Sequence, residues 1–430
     1  MIKVLGCMLE ASEDIQHSDS FNSIIELELF KLSGYVVVFR KRFHIGDVAR
    51  SADFLVFHER MTTCDELCDK QWMLYTISDR YAYFVRMPHP SIDYNVATAP
   101  FLSIAQFANA EALARIPHRT FIRESYKLQN FADSIYCFCS SSGRLRLVFK
   151  NSLRCTGQVV MLWTMARSGS TLVSRMLQCT DETNRCVLVF SEPDAFSMLA
   201  IMVGQYAVSV SYARSLLLAA LRYSCKDQLL QQTIIFKMRS NCTKLVPHVH
   251  AVAPHILHAY IARKNLEETV TSQVAVSRRS DNIFATVNHL LWLRVLNLRM
   301  IHPNVSDWIT TWGSLEWRLM CEIDPKCVLE VALAIVCQSF IDYVQYEQYF
   351  ASPPVFYEDL MIDTPNSIKQ LLTLCGISDV SVPKYTDCKR HDRLLALLKD
   401  SFDYGRSELK SNDREIVRDV AVMLSYPLIE

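Results

Sequence analysis

From Gly157 onward the chain alternates short apolar runs with helical segments, and few folds accept that rhythm. The runs are Val159–Thr164, Cys186–Phe190, Thr233–Phe236 and Ile256–Ala262; a helix is expected over Ser170–Gln178 after the first and from Glu267 after the fourth. Strands with no polar alternation are buried on both faces, which implies a parallel sheet covered by helices on each side. The expected fold class is therefore α/β, three-layered, over residues 151–430. Ligands of such sheets bind at the carboxyl ends of the strands, so the residues after each strand are the ones to inspect.

Residues 1–150 read differently, as a mixed α+β accessory region. Leu32–Phe43, Asp53–His58, Trp72–Ile77 and Tyr81–Met87 are rich in β-branched and aromatic residues and are expected as strands. Phe101–Arg115 is expected as a helix, with Ile104, Phe107, Ala108 and Leu113 on its buried face. No chemistry is legible here. His44, His58, His89 and His118 are isolated and read as structural.

Composition narrows the partners. With 45 basic against 45 acidic residues, there is no global charge to attract nucleic acid or an anionic membrane. Any anion must be held by a local site. The 15 cysteines lack the second close pair of a zinc site and read as free thiols in a reducing compartment; no metal is expected. No signal-type N-terminus and no membrane-length apolar run is found, so a cytoplasmic location is expected. The most apolar stretch, Leu199–Leu221, reads as one buried amphipathic helix. The glycosylation triplets at Asn241 and Asn304 read as chance.

The first strand end is the most informative: Thr164-Met165-Ala166-Arg167-Ser168-Gly169-Ser170-Thr171-Leu172. A strand enters a tight glycine turn and a helix begins at once. The helix start offers unpaired N–H groups and a positive dipole end, which suit a phosphate. Ser168, Ser170 and Thr171 add hydroxyls, and Arg167 adds a fixed charge with a fork of donors. The triphosphatase pattern G-x-x-x-x-G-K-[ST] is not met: Thr164 stands for the first glycine and Ser170 for the lysine.

This segment, of the form R-S-G-S-[ST], resembles the 5′-phosphosulfate loop of sulfotransferases, especially the carbohydrate and bacterial types. The resemblance covers about residues 155–411 and implies a P-loop-like domain that takes PAPS (3′-phosphoadenosine 5′-phosphosulfate) as co-substrate. Arg263, at the fourth strand end, followed by Thr271 and Ser272, resembles the 3′-phosphate site; Ser272 is favoured over Thr271. Ser191-Glu192-Pro193, at the second strand end, resembles a segment of several carbohydrate and bacterial enzymes. Its carboxylate is placed to act as a general base. Lys237, at the third, matches the lysine of the cytosolic enzymes. Arg239 stands where those enzymes keep a catalytic histidine, and an arginine cannot accept a proton. That departure puts the base on Glu192, with His248 and His250 as weaker alternatives. Pro354-Val355-Phe356-Tyr357-Glu358-Asp359-Leu360 is expected as a strand entering a loop, followed by a helix, and its Tyr357–Leu360 part resembles a structural segment of the family; Ser401–Ser411 is a candidate substitute for its C-terminal nucleotide loop.

The expected activity is sulfonate transfer from PAPS to a hydroxyl or amine of a small-molecule or carbohydrate acceptor. Glu192 is the base, Arg167 and Lys237 stabilise the transferring group, and Arg167, Ser168, Gly169, Ser170, Thr171, Arg263, Thr271 and Ser272 hold the donor. The alternatives are a nucleotide-binding scaffold without transfer activity and a P-loop kinase. Acceptor identity and oligomeric state are not legible.

Overall fold

The computed structural model describes residues 32–42, 48–128, 157–180, 187–229, 232–279, 328–377, 382 and 411–423. Asn304 and all but the last residue of the candidate loop 401–411 lie outside them. The chain is a mixed α/β protein, and its described residues form two five-stranded sheets.

The second sheet is wholly parallel. Its strands are β6 (Val159–Thr164), β7 (Val187–Ser191), β8 (Thr233–Lys237), β9 (Leu257–Ala262) and β10 (Val355–Phe356), in the order β10-β9-β6-β8-β7. Both faces are covered. Val160 and Leu162 pack with Val173, Met176 and Leu177 of the helix Ser170–Cys179 and with Ile368 and Leu371 of the helix Thr364–Leu374. Met161 and Trp163 point the other way, into a core shared with Phe196, Phe236 and Tyr260. This is the α/β arrangement expected from the apolar runs, and β6 matches its expected span residue for residue. The chain lays β7 and β8 to one side of β6 before crossing to β9 on the other. The carboxyl end of β6 thus lies at a topological switch point, where such sheets open a crevice.

The first sheet is antiparallel: β1 (Leu32–Arg40), β2 (Phe54–Thr62), β3 (Trp72–Ile77), β4 (Tyr81–Arg86) and β5 (Ala112–Pro117), ordered β2-β1-β5-β4-β3. Its buried residues, among them Phe84 and Leu113, share one core with Phe121, Met161 and Phe236.

Three expectations are corrected. The helix expected over 101–115 runs only from Leu102 to Asn109, and 112–117 is a central strand. Alanines in Ala112-Leu113-Ala114 favour a helix locally, but pairing on both sides with β1 and β4 overrides that preference. The buried face of the helix is Leu102, Ser103 and Gln106; the Gln106 amide turns inward and donates to the Leu74 carbonyl (3.0 Å), while Ala108 is exposed. The stretch 199–221 is two helices, Asp194–Gly204 and Val210–Ser224. Tyr206 takes a left-handed φ of 54° between them, and the Ser209 hydroxyl caps the second by accepting from the Tyr212 N–H. Finally, Tyr357–Leu360 is the first turn of a helix, Tyr357–Ile362, not a loop.

The Asn241 triplet is buried, with Asn241 3% and Thr243 0% exposed, so no glycan reaches it in the fold. No disulfide joins the described cysteines to one another. Among the described residues, no helix is long and apolar enough to cross a membrane.

Asp194 ties the N-terminal region to the segment that follows β8. Its carboxylate accepts from the Ala49 N–H (2.9 Å) and pairs with Arg239 (2.8 Å), and its side chain is 0% exposed. Asp194→Ala would leave a buried guanidinium without that partner. We expect a loss of about 3–5 kcal/mol, read from the urea midpoint at neutral pH.

Candidate functional site

Four strand ends meet at one edge of the parallel sheet. The loop after β6 is built on two left-handed residues, Arg167 (φ 63°) and Gly169 (φ 75°). Glycine is required at 169 for space as well: a Cβ there would lie 2.4 Å from the Tyr357 ring. Arg167 is not a glycine, and such a conformation costs on the order of 1–3 kcal/mol, a cost that gathers at functional sites. Glu192 adopts the same unusual region (φ 56°) directly after β7.

Arg167 reaches across the sheet edge, its Nε donating to the Ser272 hydroxyl (2.9 Å) on the helix Leu266–Arg279. Ser168 is fully buried, and its hydroxyl oxygen meets no hydrogen-bond partner among the described residues. Ser170 and Thr171 form the first turn of the next helix, with Gly169 as its N-cap. Thr271 points elsewhere, donating to the Glu267 carbonyl of its own helix (2.7 Å).

Glu192 lies between cations. One carboxylate oxygen pairs with Lys237 and the other with Arg239 (3.4 Å), while its backbone N–H donates to the Lys237 carbonyl (2.7 Å). Burial works to raise the Glu192 pKa. The charges of Lys237 and Arg239, with a smaller contribution from Arg167, outweigh it and hold the carboxyl below its ordinary 4.5. Arg239 is moved the opposite way. Burial works to lower its pKa, but Asp194 and Glu192 raise it further above the usual arginine range. Glu192 and Arg239 are thus both ionised near neutral pH.

Arg263 is held differently. It pairs with Glu268 (2.6 Å) and Glu358 (3.5 Å), and its guanidinium lies 5.0 Å from the centre of the Tyr357 ring. Glu358 also accepts from the backbone N–H groups of Lys264 (2.9 Å) and Asn265 (3.2 Å). Tyr357 and Glu358 therefore bind the Arg263 turn to the Gly169 loop.

The structure thus brings Arg167, Lys237, Glu192 and Ser272 together, with Arg263 on the neighbouring strand end. His248 and His250 belong elsewhere. They lie on the helix Val246–Val252, and His250 packs on Tyr349 (4.8 Å between ring centres). His250 also acts on His258, which pairs with Met161 in the amino-terminal half of the sheet. Burial, helped by Arg214, holds the His248 pKa below its ordinary value. Asp194 and Phe101 were not singled out by sequence reading. Asp194 had a weak signal, lying two residues after Glu192; Phe101 had none, since its partner Lys237 is remote in the chain. Among the described residues, no group of three His, Cys, Asp or Glu side chains is gathered as metal ligands would be.

No model of a known protein family and no curated protein matches the chain. Among solved structures, a sulfotransferase from Alicyclobacillus acidocaldarius is similar at 10% identity and a TM-score of 0.31, over 63% of this chain and 94% of that one. The likeness is distant.

Glu192 offers a direct titration. Because its folded pKa lies below 4.5, the ion pairs it makes stabilise the fold fully above that value. That contribution fades as pH falls through the folded pKa. A carbon-13 titration of the Glu192 carboxyl should give a midpoint below 4.5, and Lys237→Met should raise it.

Proposed function

We propose that this chain transfers a sulfonate group from PAPS to a hydroxyl or amine acceptor. The observation that carries the reading is one juxtaposition. A phosphate-type loop bearing Arg167 is hydrogen-bonded to Ser272, and at the same sheet edge stands the Glu192–Lys237 pair. The orphaned, buried hydroxyl of Ser168 fits an anion held in the loop. Arg263 fits a second phosphate less openly, because Glu268 and Glu358 already face it; Glu268 is 60% exposed and can turn away at little cost.

In this scheme the loop residues Arg167, Ser168, Gly169, Ser170 and Thr171 hold the 5′-phosphosulfate, and Arg263 with Ser272 holds the 3′-phosphate. Glu192 takes the acceptor's proton. The acceptor's oxygen or nitrogen forms a new bond to sulfur as the bond from sulfur to the bridging phosphate oxygen breaks, and adenosine 3′,5′-bisphosphate leaves. Arg167 and Lys237 neutralise the charge that develops on the sulfonate and the bridging oxygen, an electrostatic stabilisation of the transition state. The scheme calls on no metal.

One observation favours a second reading, nucleotide binding without transfer. Glu192 is doubly ion-paired, and a carboxylate held below its ordinary pKa is a weak base. Turnover separates the two.

Two measurements test the proposal. Adenosine 3′,5′-bisphosphate should bind at least 10-fold, about 1.4 kcal/mol, more tightly than AMP, and Arg263→Ala should erase the difference; equal binding by the wild type removes the 3′ site. In an acceptor screen with labelled PAPS, Glu192→Gln should lower turnover by about 10²–10⁴-fold while leaving bisphosphate affinity nearly unchanged. A folded Glu192→Gln protein with full turnover would exclude Glu192 as the base, and donor binding without turnover across the screen would select the second reading.

A further inference from the structure

The proposed donor groups occupy one half of the sheet edge. The phosphate loop comes after β6, and Arg263 comes after its neighbour β9. Lys237 ends β8 and Glu192 comes directly after β7, on the other side of β6. Strands lie about 4.8 Å apart, so Arg263 and Lys237 leave the sheet roughly 10 Å from each other. A donor spanning β9 and β6 therefore leaves the acceptor to arrive over β8 and β7.

That half of the edge is bordered by the N-terminal region. The Val96 N–H donates to the Val189 carbonyl in the middle of β7 (2.7 Å), which fastens the segment along the outer side of that outermost strand. The chain then crosses the strand ends. The Phe101 ring centre lies 5.7 Å from the Lys237 ammonium, and Arg239 donates to the Ser103 hydroxyl (3.5 Å). Ser103 is buried, whereas Phe101 is only partly so.

We infer that the segment Val96–Ser103 is the acceptor-side wall of the site, and that Phe101 selects an acceptor whose hydroxyl is carried on a ring with an apolar face. This rests on the donor reading above and gives the N-terminal sheet a part in specificity. An aromatic ring beside Lys237, the lysine that pairs with the proposed base, rewards a flat apolar surface and offers a flexible chain less. Phenols and the C–H faces of sugar rings share this chemistry.

The test uses the full chain with labelled PAPS and three acceptors: para-nitrophenol, a methyl glucoside and n-butanol. The wild type should show a much lower KM for one of the ring hydroxyls than for n-butanol, and the better ring identifies the source. Phe101→Ala should raise that KM about 3- to 10-fold, with Phe101→Leu intermediate, Phe101→Tyr close to wild type, and the Kd for adenosine 3′,5′-bisphosphate unchanged. Should the alanine variant not fold, the leucine variant carries the same comparison. An unmoved KM, an equal loss of bisphosphate affinity, or n-butanol used as well as both rings overturns the wall. A wild type that does not bind the bisphosphate overturns the donor reading and this inference with it.

Discussion

Two carboxylates and two cations share the end of β7 and β8, and each is tolerable there only because of the others. Glu192 faces Lys237 and Arg239; Asp194 faces Arg239 and the Ala49 N–H. Withdrawing any one charge from water is expensive, and the attraction among the four offsets that cost only while the set is complete. The set is completed from both halves of the chain. The parallel sheet provides the strand ends, and the N-terminal region provides the Ala49 N–H and Ser103. Behind it, Arg42 pairs with Asp53 (2.8 Å) and donates to the Tyr75 hydroxyl (2.6 Å), which continues the buried polar layer into the N-terminal region. The cluster also imposes a backbone conformation. Glu192 stays in the left-handed region because its N–H is bound to the Lys237 carbonyl while its side chain is bound to the Lys237 ammonium. One residue holds the strained position from both ends.

The same cluster sets opposing demands on chemistry. Cations near Glu192 keep it ionised, which a base requires, and also weaken it, which a base does not benefit from. Under the proposed reading the conflict eases when a sulfonate arrives. An anion in the loop draws on Arg167 and Lys237, so less positive charge acts on the carboxylate. Under that reading Glu192 becomes the stronger base once the sulfonate is held.

The sequence was most legible where local pattern and tertiary role agree. β6 and β3 are read to the residue because each is a short buried run that ends at a turn or a polar residue. The loop residues were legible for the same reason, since a strand, a glycine and a helix start are consecutive in the chain. Reading failed where a distant partner decides. Ala112–Pro117 becomes a strand only because β1 and β4 lie on either side. Gln106 turns inward only because the Leu74 carbonyl needs a donor. Phe101 borders the site through Lys237, and no spacing within residues 101–115 records that. Asp194 stood beside Glu192 in the sequence, but its value lies in Arg239 and Ala49.

Arg263 shows why a motif match and a ready-made site differ. Its two carboxylate neighbours do unlike work. Glu358 holds two backbone N–H groups of the turn, besides pairing with the guanidinium, so its position is fixed by the backbone it caps. Glu268 sits in the first turn of its helix, is largely exposed, and touches Arg263 through a surface-type ion pair. Exposed pairs contribute about 0–1 kcal/mol, far less than a phosphate gains from a guanidinium through paired hydrogen bonds. A second phosphate at this turn would displace Glu268 and leave Glu358 in place. The turn, capped by Glu358 and packed through Tyr357 against Gly169, would keep its shape during that exchange. Under the proposed reading, the part of the site that stays rigid is tied to backbone, and the part that yields is a solvent-facing side chain.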